Sequence, residues 1–255
     1  MTAMKINLAN RKNYGEKRSI EAIKYIALHY TANDGDSDEG NANYFHNHTV
    51  KASAHYFVDD DSITQSVPDD YVAWSVGGKL YTDHVSTGGG MLYGIAINNN
   101  TLNIEMCDTV KDGVIKASEA TIENAIDLIR QKMKQYDIDI DHVIRHFDVN
   151  GKHCPAYLMD ESKWKKFKAR ILGYELGRAY RMTKACYLRL TPAGQKVAYG
   201  DLSKSMLKKC RNAKGAAMIK RGKTFVLTEI EMIGSGLWGR MKAGYWLPLK
   251  SVKVK

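Results

Sequence analysis

The sequence is poor in cysteine and lacks both a long apolar run and an apolar segment near its start. Its four cysteines lie far apart in 255 residues, with no Cys-x-x-Cys pair. This pattern suits a reducing compartment better than a disulfide framework. No apolar run approaches the ~20 residues that cross a bilayer, so we expect no membrane span. Residues 1–19 contain no apolar core of a secretory signal, so we expect synthesis in the cytoplasm and another exit route for any role outside it.

The sequence also lacks internal repeats and coiled-coil heptads, and it has few acidic residues in its last third. Residues 1–172 carry 20 Lys+Arg against 24 Asp+Glu, whereas residues 173–255 carry 18 against 4. A near-neutral body and a strongly basic C-terminal part indicate two modules with different roles, 1–172 and 173–255. The basic module should prefer a polyanion: nucleic acid, an anionic membrane or an anionic wall polymer.

Apolar patterning predicts an α/β layered domain in the first module, because strand and helix patterns alternate along it. Strands are predicted at 25–32, 53–68 (as a hairpin), 101–110 and 141–149, and helices at 37–48, 118–138 and 160–172. In the second module, short strand patterns without a helical repeat predict a small β-barrel.

Cap residues and face patterns support the individual elements. Ser37 and Ser118 are predicted to cap the first two helices. On the last strand, alternation places His142, Ile144 and His146 on one side.

Three side chains stand out as possible metal ligands. His29 ends the first predicted strand, His146 ends a later one, and Cys154 follows in the next loop. Two imidazoles and a thiolate suit tetrahedral zinc, and three protein ligands leave a fourth position for water. Ends of strands are also where open α/β sheets place their sites. The residues alone equally allow a solvated loop and a hydrogen-bonded core histidine.

Four stretches together resemble a known family. These are "ALHYTAN", "SAHYFVDDDSITQSVPDDYVAWSVG", "LNIEMC" and "RHFDVNGKHCP". In their order and spacing they resemble the zinc-dependent N-acetylmuramoyl-L-alanine amidases, which are related to peptidoglycan recognition proteins and include phage and prophage endolysins. The resemblance covers roughly residues 20–170 and implies a mixed central β-sheet flanked by helices.

The resemblance implies a role for five of these residues. His29, His146 and Cys154 match the ligands of one zinc ion. Glu105 matches the general base, and Lys152 matches the residue that stabilises the transition state. The implied reaction is cleavage of the amide between N-acetylmuramic acid and L-alanine by zinc-activated water. The alternative for Glu105 is a surface acid on its strand. The alternative for Lys152 is a solvated cation in its loop.

Three further residues are candidates for binding the substrate. The resemblance implies a place for Trp74 in a sugar or peptide subsite. His55 and Tyr56 are expected to line the same groove, without a catalytic role. Many relatives have histidine where this chain has Ser75, so the resemblance leaves the substrate contacts there open.

The second module resembles a bacterial Src-homology-3-like cell-wall-binding domain. The stretches that carry this resemblance are "YRMTKACYLRLTPAG" and "WGRMKAGYWLPLKSVK", whereas residues 198–225 between them depart from the usual compact pattern. The excess of basic residues suits teichoic acids or other wall anions.

The sequence thus predicts a modular peptidoglycan hydrolase of the endolysin or autolysin type, reaching the wall through a holin or through lysis. We expect bacterial peptidoglycan and anionic wall polymers as partners, and neither nucleic acid nor a protein partner. One alternative is a recognition protein that binds peptidoglycan without cleaving it. A nucleic-acid-binding protein is the other, but the aromatic-basic motifs of single-strand binders are missing.

Overall fold

The chain divides into two compact units, one up to Trp164 and one from Lys165 onward. They are seen in a computed structural model that describes residues 3–111, 113–233 and 236–254. Charge places the module boundary after residue 172, whereas the packing divides the chain inside a helix, Glu161–Ile171. The late part of that helix contributes Ala169 to the apolar core of the second unit.

The first unit is built on a six-stranded mixed sheet with the order β1-β5-β4-β7-β3-β10. Only the β4–β5 pair is antiparallel; the other neighbours in this sheet run parallel. The mixed α/β sheet that was predicted is therefore confirmed. The strands of the unit are β1 (Ala3–Ile6), β2 (Tyr14–Lys17), β3 (Tyr25–Tyr30), β4 (Tyr56–Val58), β5 (Ser62–Gln65), β6 (Tyr71–Ala73), β7 (Thr101–Met106), β8 (Thr109–Lys111), β9 (Val114–Lys116) and β10 (Val143–Arg145).

The helices were largely anticipated by their caps and apolar faces. They are α1 (Asp38–Asn47), α2 (His84–Thr87), α3 (Glu119–Tyr136), α4 (His146–Asn150) and α5 (Glu161–Ile171). Ser37 accepts from the amide of Gly40 and Ser118 from that of Thr121, as their positions predicted. Helix α3 buries its apolar face and also Lys132, a charge that the apolar pattern did not place inside.

The two central strands, β3 and β7, position the end of the sheet where the site lies. Their cores are fully buried, with Ile26, Leu28, Leu102 and Ile104 at 0% exposure. Because β-branched and leucine side chains cover both faces, these strands are held rigidly between layers. Their parallel register sets His29 opposite Glu105.

The prediction of one strand over residues 141–149 is wrong. Strand β10 ends at Arg145, and His146 begins the short helix α4. The Asp148 carboxylate accepts from the Arg145 amide at 2.7 Å and caps the turn. Gly151 ends the helix in the left-handed region, with φ 84°. His146 thus lies on a helical turn rather than alternating along a strand.

The second unit is mainly antiparallel β. A five-stranded sheet has the order β17-β16-β15-β11-β18, and a three-stranded sheet has the order β12-β14-β13. The strands are β11 (Ala179–Met182), β12 (Cys186–Tyr187), β13 (Cys210–Ala213), β14 (Ala216–Ile219), β15 (Thr224–Ile233), β16 (Gly236–Met241), β17 (Trp246–Pro248) and β18 (Val252–Val254), with a short helix α6 (Lys204–Leu207). The predicted strand-rich character is present; a Src-homology-3-like barrel stays a prediction.

Both units have their own apolar interior. The core of the second unit includes Tyr180, Leu188, Leu227, Leu247 and Leu249, each with no exposed surface. Within the three described ranges, no helix has the length and apolar character needed to cross a membrane.

Candidate metal centre and its groove

Three side chains that lie far apart in the sequence meet at the end of the central sheet. His29 comes from β3, His146 from the start of α4 and Cys154 from the loop that follows. Their donor atoms all lie within 4.8 Å of one another, and all three residues are buried. The two Nδ1 atoms are 3.1 Å apart, and the Cys154 sulfur is 3.9 Å from the His29 Nδ1.

Two of the three donor separations match those of a tetrahedral zinc site. Bonds of about 2.05 Å to nitrogen and about 2.3 Å to sulfur place two nitrogens about 3.3 Å apart and a nitrogen about 3.6 Å from a sulfur. The two separations of 3.1 and 3.9 Å differ from these values by a few tenths of an ångström, and the donor atoms of the third pair, His146 and Cys154, lie within 4.8 Å of each other. Among the residues that the structure describes, no second cluster of His, Cys, Asp or Glu has ligand geometry. The donor set therefore suits one zinc ion with a fourth position left open.

Burial keeps both imidazoles neutral at physiological pH. It lowers the pKa of His29 to about 3 and that of His146 to about 2, and the positive charge of Lys152 acts in the same direction on both. Burial also raises the pKa of the Cys154 thiol above its ordinary value. The imidazoles thus offer lone pairs, whereas the thiol needs a nearby cation to lose its proton.

Glu105 lies beside this cluster on β7. Its Oε1 is 3.9 Å from the His29 Nδ1, and its side chain is 20% exposed. The other carboxylate oxygen, Oε2, is buried without a hydrogen-bond partner. Burial raises the pKa of Glu105 to about 8, although Lys152 opposes this shift. The group can therefore take up and release a proton near neutral pH.

A groove runs past the cluster on two sides. A cavity of about 840 Å³ is lined by His29, Glu105 and Trp74, and a second of about 480 Å³ by His146. Ser75 and Lys152 line both cavities. Trp74 is half-buried and Lys152 exposed, so each has surface available for a bound molecule.

His55 and Tyr56 do not lie in this groove, contrary to expectation. Both are buried, with 0% and 1% exposure. The His55 Nδ1 accepts from the Asn103 backbone amide at 3.0 Å, and its Nε2 lies 2.9 Å from the Arg18 Nη2 and 3.1 Å from the Tyr71 carbonyl. The Tyr56 hydroxyl donates to Asp69 at 2.6 Å. Since hydrogen bonds inside the unit use their polar atoms, neither side chain is available to a substrate.

Two residues near the centre were missed from the sequence. Asn103 places its Oδ1 3.2 Å from the His29 Nε2. Asn103 lies two residues before Glu105 on β7, so both side chains lie on the same face of the strand. This spacing could have identified Asn103 from the sequence. The Tyr157 hydroxyl is buried without a hydrogen-bond partner. Burial raises its pKa well above the ordinary value, and the nearby Asp108 and Cys154 add to the shift. Nothing in the local pattern marked Tyr157.

Comparisons with known proteins identify a family. A family profile described as N-acetylmuramoyl-L-alanine amidase matches residues 19–157. A probable N-acetylmuramoyl-L-alanine amidase of Bacillus licheniformis is 33% identical over 159 residues, 60% of this chain and 42% of that protein. The amidase CwlA of Bacillus subtilis (strain 168) is 32% identical over 167 residues, covering 65% and 55%. The chain thus spans about half the length of these curated relatives.

Solved structures show the same similarity. A mutant endolysin from Bacillus subtilis is 28% identical, with a TM-score of 0.52 over 67% of this chain and 99% of that one. The catalytic domain of PlyG in solution is 26% identical, with a TM-score of 0.53 over 67% and 94%. On the profile match, which covers more than half of its residues, the chain belongs to the N-acetylmuramoyl-L-alanine amidase family.

Proposed function

We propose that the first unit hydrolyses the amide between N-acetylmuramic acid and L-alanine in bacterial peptidoglycan. The observation that carries this proposal is the meeting of His29, His146 and Cys154 beside Glu105 in an open groove. Membership of the amidase family and relatives named as amidases support the same reaction. A binding protein that does not cleave needs neither a thiol ligand nor a carboxylate beside it.

His29, His146 and Cys154 would hold one zinc ion. A zinc ion at such a site polarises a carbonyl oxygen and lowers the pKa of a bound water towards about 7. The buried, neutral imidazoles are ready to donate their lone pairs. The three side chains come from a central strand, a helix start and a loop in which the Cys154 carbonyl accepts from the Phe147 amide at 3.0 Å, and these elements hold the ligand positions.

Glu105 would move the proton. Its carboxylate accepts a proton from the attacking water and passes it to the nitrogen of the departing L-alanine. The buried site favours this role, because it raises the pKa of Glu105 to about 8 and so strengthens its hold on a proton. Its unpartnered Oε2 is free of competing hydrogen bonds.

Lys152 and Trp74 would act on the substrate itself. Lys152 is exposed, lines both cavities and precedes Cys154 in the same loop. Its ammonium group would stabilise the negative charge that develops on the carbonyl oxygen. Trp74, half-buried in the wall of the larger cavity, offers a flat apolar surface to a sugar or a peptide side chain.

The second module, which the charge pattern bounds at 173–255, would attach the enzyme to the wall. Its 18 basic residues against 4 acidic ones favour anionic wall polymers. The resemblance of its ends to a Src-homology-3-like wall-binding domain supports the same role. Attachment would raise the effective concentration of substrate at the first unit. We propose that the protein acts on the bacterial cell wall as an endolysin or autolysin.

Digestion of purified sacculi tests the reaction. Cleavage at the proposed bond releases new N-terminal L-alanine and new lactyl carboxyl groups on muramic acid, and no new reducing sugar ends. Both products can be quantified by mass spectrometry of the fragments. If folded, zinc-loaded protein binds sacculi but releases neither product, the alternative of recognition without cleavage replaces this proposal.

A further inference from the structure

The His29 ring is held from behind by the side chain of Asn103. The His29 Nε2 lies 3.2 Å from the Asn103 Oδ1, and both residues are buried, with 2% and 0% exposure. The opposite ring nitrogen, Nδ1, faces His146 and Cys154. A metal ion needs an unprotonated Nδ1, so the direction of the hydrogen bond at Nε2 decides whether His29 can act as a ligand.

A directional chain of hydrogen bonds determines that direction. The carbonyl oxygen of Ile97 can only accept, so the Thr101 hydroxyl, 3.0 Å away, must donate to it. The Thr101 oxygen then accepts from the Asn103 Nδ2 at 3.2 Å. A flip of the Asn103 side-chain amide, which would exchange Oδ1 and Nδ2, loses this bond. The Oδ1 is therefore the atom that faces His29.

We propose that Asn103 is a positioning residue that fixes the proton of His29 on Nε2 and leaves the Nδ1 lone pair for the metal. This inference rests on the metal centre of the proposed function. The His146 Nε2 is buried without a partner, and its Nδ1 lies 3.1 Å from the His29 Nδ1. The two imidazoles therefore differ: Asn103 sets the tautomer of His29, whereas His146 takes its tautomer from His29, to whose unprotonated Nδ1 it donates in the metal-free protein.

His55 holds the other side of Asn103. The backbone amide of Asn103 donates to the His55 Nδ1 at 3.0 Å, and the backbone amide of His55 donates to the backbone carbonyl of Asn103 at 3.1 Å. Both backbone polar groups of Asn103 are thus fixed by one neighbour. This explains why His55 is buried beside the site without reaching the groove.

Two substitutions of nearly equal shape test the proposal. Asn103→Leu removes the acceptor, whereas Asn103→Asp keeps an oxygen acceptor in the same place. Zinc affinity is measured by competition with a chromogenic chelator. In the metal-free proteins, imidazole ¹⁵N chemical shifts report which ring nitrogen of each histidine carries a proton. We expect Asn103→Leu to weaken zinc binding about 10–100-fold and to mix the His29 tautomers, and the His146 tautomers should mix with them because the two Nδ1 atoms share one hydrogen bond. Asn103→Asp should keep the parent tautomer and bind zinc within a few-fold of the parent.

Thr101→Val provides a milder test if Asn103→Leu does not fold. It leaves both His29 and Asn103 in place but lets the amide flip, so the His29 tautomers should mix and zinc binding should weaken. Leu102→Ala is the control, because Leu102 is equally buried on β7 and apolar; it should lower stability and leave the tautomer unchanged. Parent-like tautomers and zinc affinity in both Asn103→Leu and Thr101→Val would overturn the proposal. If the parent protein does not cleave sacculi, the proposed function is rejected. The proposal for Asn103 is tested separately, because the His29 tautomer is measured in the metal-free protein without any cleavage assay.

Discussion

Glu105 and His29 stand opposite each other on neighbouring parallel strands, with the carboxylate Oε1 3.9 Å from the imidazole Nδ1. At this distance the carboxylate is beside the proposed ligand without being hydrogen-bonded to it. The register of the central sheet therefore sets the proposed proton carrier next to the proposed metal position. This arrangement separates two tasks, which can be removed one at a time.

Glu105→Gln should keep zinc and lose turnover. The amide has the shape of the carboxylate but cannot accept the proton of the attacking water, so we expect kcat to fall at least about 100-fold. Zinc content by mass spectrometry should stay at one per chain. Glu16→Gln is a matched control, because that acid is 91% exposed, and it should leave both quantities unchanged. A metal-free Glu105→Gln protein would contradict the proposed division of tasks.

His146→Ala should lose zinc and activity together. It removes one of three donor side chains from a buried site, and the remaining two fall short of the three protein ligands of a catalytic zinc site. His142→Ala is the control, since this neighbouring histidine is 46% exposed and pairs with Asp139. Zinc content and release of L-alanine ends are measured on both variants. Retention of stoichiometric zinc by His146→Ala would show that the ligand set was chosen wrongly.

The sequence predicted the site residues whose positions follow from the pattern of one strand alone. His29 lies near the end of an apolar run whose pattern predicts a buried strand, and Glu105 lies between Ile104 and Met106 on another. Alternation along β3 and β7 then determines which side chains face the site. The family resemblance added the roles, which periodicity cannot supply.

What the sequence could not predict depends on polar contacts between distant residues. The helical turn at His146 comes from a local cap by Asp148, which a reading by alternation does not include. His55 and Tyr56 look like groove residues until their partners across the fold are known. Buried polar side chains carry no periodic signal of their own. The same holds for Asn103, whose role appears only in contact with His29.

The interior ion pair of Asp69 and Lys132 should make stability depend on acid pH. Their side chains are 10% and 6% exposed, and the Lys132 amine donates to the carboxylate at 2.6 Å. Burial raises the pKa of Asp69, but the attraction of Lys132 and hydrogen bonds from Tyr136 and Tyr56 outweigh it and hold the pKa below its ordinary value. A depressed pKa means that the stabilisation is present above about pH 4 and is lost as the pH falls through the folded-state pKa.

Asp69→Asn should therefore destabilise the first unit most at neutral pH. It leaves Lys132 as an uncompensated buried charge, which costs about 3–5 kcal/mol. Urea unfolding at pH 7 and at pH 3 measures the difference, which should shrink at the lower pH because Asp69 of the unfolded parent chain takes up a proton there and the depressed folded-state pKa then costs stability. Asp127→Asn is the control, since that acid is 67% exposed. An equal loss at both pH values would mean that the Asp69 charge does not contribute.

Removal of residues 173–255 should weaken attachment to the wall far more than the chemistry. The basic module supplies the excess positive charge, so we expect binding to purified walls to fall on the order of 100-fold. The remaining attachment should also lose its dependence on salt, because screening acts on exposed charges. Hydrolysis of a soluble muropeptide should stay within a few-fold of the full-length rate, since every residue assigned to the reaction lies in the first unit.

The cut after residue 172 keeps helix α5 whole. Folding of the truncated chain is checked by circular dichroism before either assay. Equal losses of binding and of soluble hydrolysis in a folded protein would reject separable modules, and salt-insensitive attachment of the full chain would reject the electrostatic origin of wall binding.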